Sequence, residues 1–146
     1  MYFAKKIIPL EPDKGEWKMS APEQLSFLQP VNEREVRKAV VKELKAYKAL
    51  RVAVQNKQEQ AEKGIDQLFP RLHQSETKND LKARQIERAL QYSLDEIERK
   101  IIEEKYLSPA RVNDINVYLE LRLTKDQYYI KKREAIFQLA TALRII

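Results

Sequence analysis

The sequence predicts an all-α fold, with one long N-terminal helix and a C-terminal helix-turn-helix bundle. Three observations support this fold class. Only two of the 146 residues are glycine, and 34% are charged, against about a quarter in typical domains. Apolar residues recur at steps of three and four in several segments. Residue types that cap helices stand just before those segments.

Composition narrows the function classes. The chain has no cysteine and a single histidine, His73, so a metal centre is not expected. It also lacks a glycine-rich phosphate loop and an isolated acid pair in an apolar setting, so we expect neither an enzyme nor a bound cofactor. No apolar run approaches the roughly 20 residues of a membrane span, and the first residues make a poor signal peptide. We expect a cytoplasmic protein without membrane contact.

The first 31 residues are predicted to form a proline-rich apolar arm. Prolines at positions 9, 12, 22 and 30 exclude a continuous helix. Aromatic residues such as Trp17 and Phe27 make this segment too apolar for a plain disordered tail. We expect the arm to pack either on its own domain or on a partner.

Residues 32–70 are predicted to contain the long N-terminal helix, which runs from residue 33 to about residue 63. Asn32 is a suitable N-cap, and Glu35 stands at the third helical position. The helix would be roughly 45 Å long. It could pack on later helices of the chain, contact a partner, or pair with a second copy in a homodimer. Its predicted buried face is Val36, Val40, Leu44, Tyr47, Leu50 and Val54.

The middle of the chain is predicted to hold a linker and two helices. Residues 71–80 are polar and follow Pro70, which favours a linker. Ser93 and Glu96 fit a capping box, so a helix should begin at Leu94. The helix before it would bury Leu81, Ile86, Ala89 and Leu90. The helix after it would bury Leu94, Ile97, Ile101 and Ile102.

Two closely spaced helices are predicted near the end of the chain. Asn113 can cap a short helix from Asp114 to Leu121, and Thr124 with Gln127 forms a capping box for a longer helix over residues 124–143. DNA-binding helix-turn-helix proteins share this layout. The short helix would bury Ile115, Tyr118, Leu119 and Leu121. The long helix would bury Tyr128, Ala135, Ile136, Leu139, Ala142 and Leu143.

The opposite face of the last helix supplies candidate DNA-binding residues. Arginine and lysine can donate hydrogen bonds to guanine, an aspartate can accept a hydrogen bond from cytosine, and apolar groups can contact thymine methyls. Other cations would neutralise phosphates. The alternative is an ordinary solvated basic face. Residues 31–70 carry nine basic and six acidic side chains, and residues 111–146 carry seven and four. The candidates are Lys125, Asp126, Tyr129, Ile130, Lys132 and Arg133, flanked by Arg111 and Arg122.

Several segments, taken in order, resemble the ArpU family. These are phage- and prophage-encoded transcriptional regulators of low-GC Gram-positive bacteria. The resemblance is carried by residues 101–107, 113–121, 128–129 and 132, and by the apolar pattern from Ala135 to Ala140. Residues 40–47 are similar to the family's N-terminal helix. The resemblance implies promoter binding near the host nucleoid, in control of late lytic genes or autolysin-related functions.

The same C-terminal region is similar to the fourth domain of primary sigma factors, which reads the −35 promoter element. This likeness implies that Lys125, Asp126, Tyr129 and Ile130 are the base-reading positions. Arg122 stands where such turns often carry glycine. Lys131 stands where the sigma helix usually buries an aliphatic residue, so its stem would have to snorkel.

We therefore expect a DNA-binding transcription regulator, and specifically an activator. Residues 81–146 would be its DNA-binding domain, with double-stranded promoter DNA as ligand and host RNA polymerase as a further partner. One alternative is a DNA-packaging protein like a phage small terminase subunit, although those usually carry the helix-turn-helix first. The other is a helical adaptor that binds RNA polymerase and shows no salt-sensitive affinity for DNA.

Overall fold

Five α-helices make up most of residues 32–72 and 76–146, the part of the chain that the computed structural model describes. No strand occurs among these residues, so the predicted all-α class is confirmed. A π-helical turn, Glu103–Leu107, directly continues the third helix. The predicted arm over residues 1–31 and His73 both lie outside the described residues. The helices are α1 (Glu33–Glu62), α2 (Glu76–Tyr92), α3 (Glu96–Ile102), α4 (Asp114–Glu120) and α5 (Lys125–Ala142).

Helix α1 has the predicted bounds, but only its first half is buried. Its buried stripe is Val36, Val40, Leu44 and Tyr47. Leu50 packs only partly against the core, and Val54, predicted to be buried, is exposed. Every residue from 52 to 59 is exposed, so the second half of α1 lies outside the core. The helix ends at Glu62, and the positive φ of 70° at Gly64 permits the paired hydrogen bonds of a Schellman motif after it.

Helix α2 starts at Glu76, inside the segment predicted to be a linker. Thr77, Lys78 and Asn79 in its first turn are polar and exposed, which explains why composition suggested a loop. Ion pairs join it to α1: Lys57 lies 2.7 Å from Asp80, and Lys82 lies 3.1 Å from Glu43. Leu81 is exposed rather than buried. The buried side chains of α2 are Ala83, Ile86, Ala89 and Leu90.

The boundary predicted between residues 80 and 81 does not separate two packing units. Residues of α1, α2, α3 and α5 share one apolar core, and residues 33–146 form one compact unit. The division into a long helix, a linker and a separate DNA-binding domain stays a prediction, and the shared core argues against it. The physical reason is that α1 supplies large side chains, including the fully buried Leu44 and Tyr47, to the core on which α5 packs.

The cap of α3 differs from the prediction by two residues. The N-cap is Asp95, which accepts a hydrogen bond from the Glu98 amide at 2.7 Å, while the Glu98 carboxylate accepts from the Asp95 amide at 2.9 Å. Ser93 instead donates to the carbonyl of Ala89 in the preceding helix. Ser93 with Glu96 and Asp95 with Glu98 both fit the capping-box pattern, so the local sequence alone does not show which pair caps the helix. The shift leaves Ile97 exposed, contrary to prediction, whereas Ile101 is fully buried.

A second, smaller cluster joins α3, α4 and α5. Ile101, Val117 and Tyr128 are its buried members. The inward residue of α4 is thus Val117, which the sequence prediction missed. Ile115 and Leu119, predicted to be buried, are 54% and 64% exposed. Around the cluster lie the partly buried Val112, Tyr118, Leu121 and Leu123.

Four residues connect α4 to α5, and they form a tight left-handed turn. Arg122 has a φ of 60°. Its amide donates to Leu119, and the amide of Leu123 donates to Tyr118, at 3.2 and 2.9 Å. This pair of bonds is the Schellman motif, in which glycine is usual at the position of Arg122. Thr124 then caps α5 through the predicted capping box. The predicted short helix, turn and capped longer helix are therefore all present.

Replacing Arg122 by glycine tests this turn. Glycine removes the conformational strain of roughly 1 kcal/mol that an L-residue has at positive φ, which stabilises the folded state. It also increases the conformational entropy of the unfolded chain, which offsets that gain by a similar free energy. We expect the free energy of unfolding in urea to change by less than about 1 kcal/mol. Arg122→Val should lower it by about 1–2 kcal/mol, because branched side chains tolerate this φ poorly. Equal stability of the two variants would contradict the left-handed turn.

Removing α1 tests whether the C-terminal helices fold alone. A fragment of residues 71–146 lacks the α1 side of the shared core, so we expect it to lose most of its helical circular dichroism and its cooperative thermal transition. The control is a fragment of residues 32–146, which keeps every core residue described above. A cooperative transition in fragment 71–146 would show that the predicted two-module division holds after all.

Candidate nucleic-acid interface

Asp114, the first residue of α4, fixes α5 in place. One of its carboxylate oxygens accepts a hydrogen bond from the Tyr128 hydroxyl at 2.5 Å and another from the Lys132 ammonium at 2.9 Å. Its second oxygen lies 3.5 Å from the Tyr129 hydroxyl. Because Tyr128 is fully buried, this contact joins α4 and α5 from inside the fold. These hydrogen bonds connect the first half of α5 to the first residue of α4.

The protonation states of this network follow from its surroundings. Burial alone would raise the pKa of Asp114, but the hydrogen bonds from Tyr128 and Lys132 outweigh it and hold that pKa below its ordinary value. Burial raises the pKa of Tyr128 well above its ordinary value, and the bond to Asp114 adds to the shift. At neutral pH the carboxylate is therefore charged and the phenol is protonated, which suits the bond between them.

Lys132 belongs to this network rather than to the outer face. Its ammonium lies 5.6–5.7 Å from the ring centroids of Tyr106, Tyr128 and Tyr129, within cation–π range. Only 13% of its side chain is exposed. Asp114 already neutralises its charge, so this geometry does not favour the predicted phosphate contact. The helical projection places Lys132 at the edge of the exposed face, but its partner Asp114 lies 18 residues away in sequence and no local pattern indicates the pair.

Four of the predicted residues share one exposed surface at the start of α5. Lys125, Asp126, Tyr129 and Ile130 are all exposed, and they lie on adjacent turns of one side of the helix. Tyr129 and Ile130 are 42% and 56% exposed. The Tyr129 ring packs edge-on against Tyr128 at 5.1 Å, so its position is fixed from behind. These four are the positions that the sigma likeness assigns to base reading.

Arg133 extends this surface but has a partner of its own. Its guanidinium pairs with the Glu33 carboxylate at the start of α1, at 2.8 and 3.0 Å. Both side chains are about half exposed, so the pair contributes at most about 1 kcal/mol and a stronger anion can displace it. Lys131 is paired as well, with Asp95 at 2.9 Å. These partners lie 100 and 36 residues away in sequence, and no local pattern indicates them.

The two flanking arginines occupy different places. Arg122 is exposed in the turn just before α5. Arg111 is exposed in the connection between the π turn and α4. No hydrogen bond or ion pair of the described structure joins Arg111 to α5. Arg122 thus directly precedes the helix that carries the predicted surface, whereas Arg111 precedes α4.

Comparisons with protein-family models, curated proteins and solved structures found no match to this chain. The resemblances given above therefore stay predictions. Within residues 32–72 and 76–146, no three histidine, cysteine or acidic side chains are grouped so that they could hold a metal ion. None of the described helices is long and apolar enough to cross a membrane.

Replacing Asp114 by asparagine tests the network. The variant leaves Lys132 without its anion, so we expect the free energy of unfolding at pH 7 to fall by about 2 kcal/mol. Because the folded pKa of Asp114 is depressed, its contribution is present above the unfolded value of about 4 and is lost as pH falls through the folded value. The variant should therefore lose less stability than the parent chain on acidification below about pH 4.

The matched control for this prediction is Asp80→Asn, which breaks the surface pair with Lys57. Its cost should stay below about 1 kcal/mol. Urea denaturation of both variants at several pH values makes the comparison. If the two substitutions cost the same at pH 7, Asp114 does not fix α5 as described.

Proposed function

We propose that this protein is a sequence-specific DNA-binding transcription regulator that reads duplex DNA with the first turns of α5. The observation that carries the proposal is the exposed surface of Lys125, Asp126, Tyr129 and Ile130 on a helix held from behind by Tyr128. A recognition helix needs both properties, because base contacts require side chains that reach outward from a fixed backbone.

The chemistry of this surface matches base edges in the major groove. Lys125 can donate a hydrogen bond to guanine or to a phosphate. Asp126 can accept a hydrogen bond from cytosine, or its negative charge can stabilise the positive end of the helix dipole. Ile130 offers an apolar contact for a thymine methyl. Tyr129 offers a ring edge and a hydroxyl. A purely solvated helix face would not require an exposed tyrosine and isoleucine side by side, which favours recognition over the solvated alternative.

The resemblance to phage and prophage regulators supplies the biological setting of the proposal. On that basis the protein activates late lytic or lysis genes from promoter DNA, with RNA polymerase as its partner. A second candidate function, a helical adaptor that docks on another protein, is supported by exposed apolar residues after α1. Phe69 and Leu72 are 74% and 92% exposed.

Genome-wide occupancy of the tagged protein in its bacterial host, after prophage induction, tests the proposal. A few peaks upstream of lytic or lysis genes would support the regulator and supply its operator. Occupancy confined to a packaging locus would favour a terminase-like protein. Absence of enrichment, together with capture of RNA polymerase subunits through residues 65–72, would favour the adaptor.

A double variant, Tyr129→Ala with Arg133→Ala, tests the recognition surface. We expect the ratio of affinities for an occupied sequence and a scrambled duplex to fall at least tenfold, since one arginine–guanine pair carries about 1–3 kcal/mol. Helix content should not change, because both side chains are exposed. Fluorescence anisotropy at fixed salt measures the ratio, and circular dichroism measures helicity.

The chain offers a matched control for that variant. Arg88 and Tyr92 are also an exposed arginine and tyrosine four residues apart, but they lie on α2, near the far end of α5. Arg88→Ala with Tyr92→Ala should leave the affinity ratio unchanged. Loss of helicity in the Tyr129 and Arg133 variant, or an equal loss of discrimination in the control, would mean that the assigned face is wrong.

A further inference from the structure

A groove of about 300 Å³ lies between the first turns of α1 and the middle of α5. Tyr129 and Arg133, two residues of the proposed recognition surface, form part of its lining. The groove is therefore continuous with that surface. On the α1 side it is lined by Glu33 and Arg37, which lie one turn apart. Phe137, packed partly against the core, also lines the groove.

Two of the three cationic side chains that line this groove are paired with a carboxylate, and the third is not, within the described part of the chain. Lys132 is neutralised by Asp114, and Arg133 is paired with Glu33. Arg37 is also exposed, and among the residues that the structure describes it forms no ion pair, unlike Lys132 and Arg133. Of the three cations that line the groove, Arg37 is therefore the one that can accept an external anion without losing an internal partner.

We infer that Arg37 binds a backbone phosphate of the DNA strand that passes beside the recognition helix. This inference rests on the proposed function and extends the interface from α5 to α1. The guanidinium geometry suits two oxygens of one phosphate. Tyr129 and Phe137 line the same groove and offer apolar surface to the adjoining deoxyribose.

Duplex DNA fits this groove better than a free phosphate ion does. A free dianion would meet only one uncompensated guanidinium, because Arg133 is already paired with Glu33 and Lys132 with Asp114. A duplex already held by α5 presents its phosphate at high effective concentration, so one arginine suffices. The contact should add affinity without sequence preference, because phosphates are the same along the strand.

The test compares Arg37→Ala and Arg88→Ala with the parent chain in full-length form. Binding to a fixed duplex is measured by anisotropy across a salt series. We expect Arg37→Ala to reduce the slope of log K against log salt by about 0.9, the value for one phosphate contact. Affinity should fall several-fold while the preference for an occupied over a scrambled sequence stays the same. Arg37→Lys should restore most of the slope, and Arg88→Ala should change neither quantity.

Several outcomes would overturn the inference. If Arg37→Ala keeps the parent slope while DNA binding is intact, Arg37 makes no phosphate contact and the proposed function is unaffected. If the variant loses sequence preference, Arg37 is not a backbone contact. If inorganic phosphate at fixed ionic strength saturates an Arg37 side-chain signal by NMR and competes with DNA, the groove is a free-anion site. If the parent chain shows no salt-sensitive DNA binding, both the inference and the proposed function fail.

Discussion

The contact of Asp114 with Tyr128 and Lys132 is the interaction on which the geometry of the candidate site depends. It joins the first turn of α4 to the buried side of α5, and its charge is compensated where solvent is largely excluded. Partly buried pairs of this kind add little net stability but are costly to break, so they favour one arrangement over others. Here that arrangement directs Tyr129 and its exposed neighbours outward. The network also neutralises Lys132, a cation that the sequence predicts to contact DNA phosphates.

Helix α1 has two parts with different surroundings. Its first half completes the core beneath α5 and places Glu33 and Arg37 beside the recognition surface. Its second half, with the apolar residues that follow it, is exposed. The DNA-binding unit that we propose is therefore larger than a helix-turn-helix alone, and the surface left for a protein partner lies at the other end of α1.

Local patterns predicted the parts of this structure that depend on local physics. The bounds of α1 and the capping box of α5 follow from short-range hydrogen bonding and apolar periodicity. The α3 cap was misplaced because two overlapping capping boxes, at Ser93 and Asp95, satisfy the same rule. Helix α4 has only seven residues, which is too short for the apolar periodicity to define a buried face, so the burial of Val117 was not predicted. The exposed face of α5 was predictable, whereas the partners of Lys132 and Arg133 come from distant segments and were not.

The central claim is that DNA contacts the start of α5, beside the start of α1. Backbone amide chemical shifts of the full-length, ¹⁵N-labelled chain, measured by NMR during titration with random-sequence duplex DNA, test it most directly. Non-specific binding is sufficient here, because phosphate contacts alone place the protein on the duplex. The account predicts shift changes concentrated in residues 122–133 and near Arg37. Changes concentrated in α2 or in residues 52–72, or none at all, would contradict it.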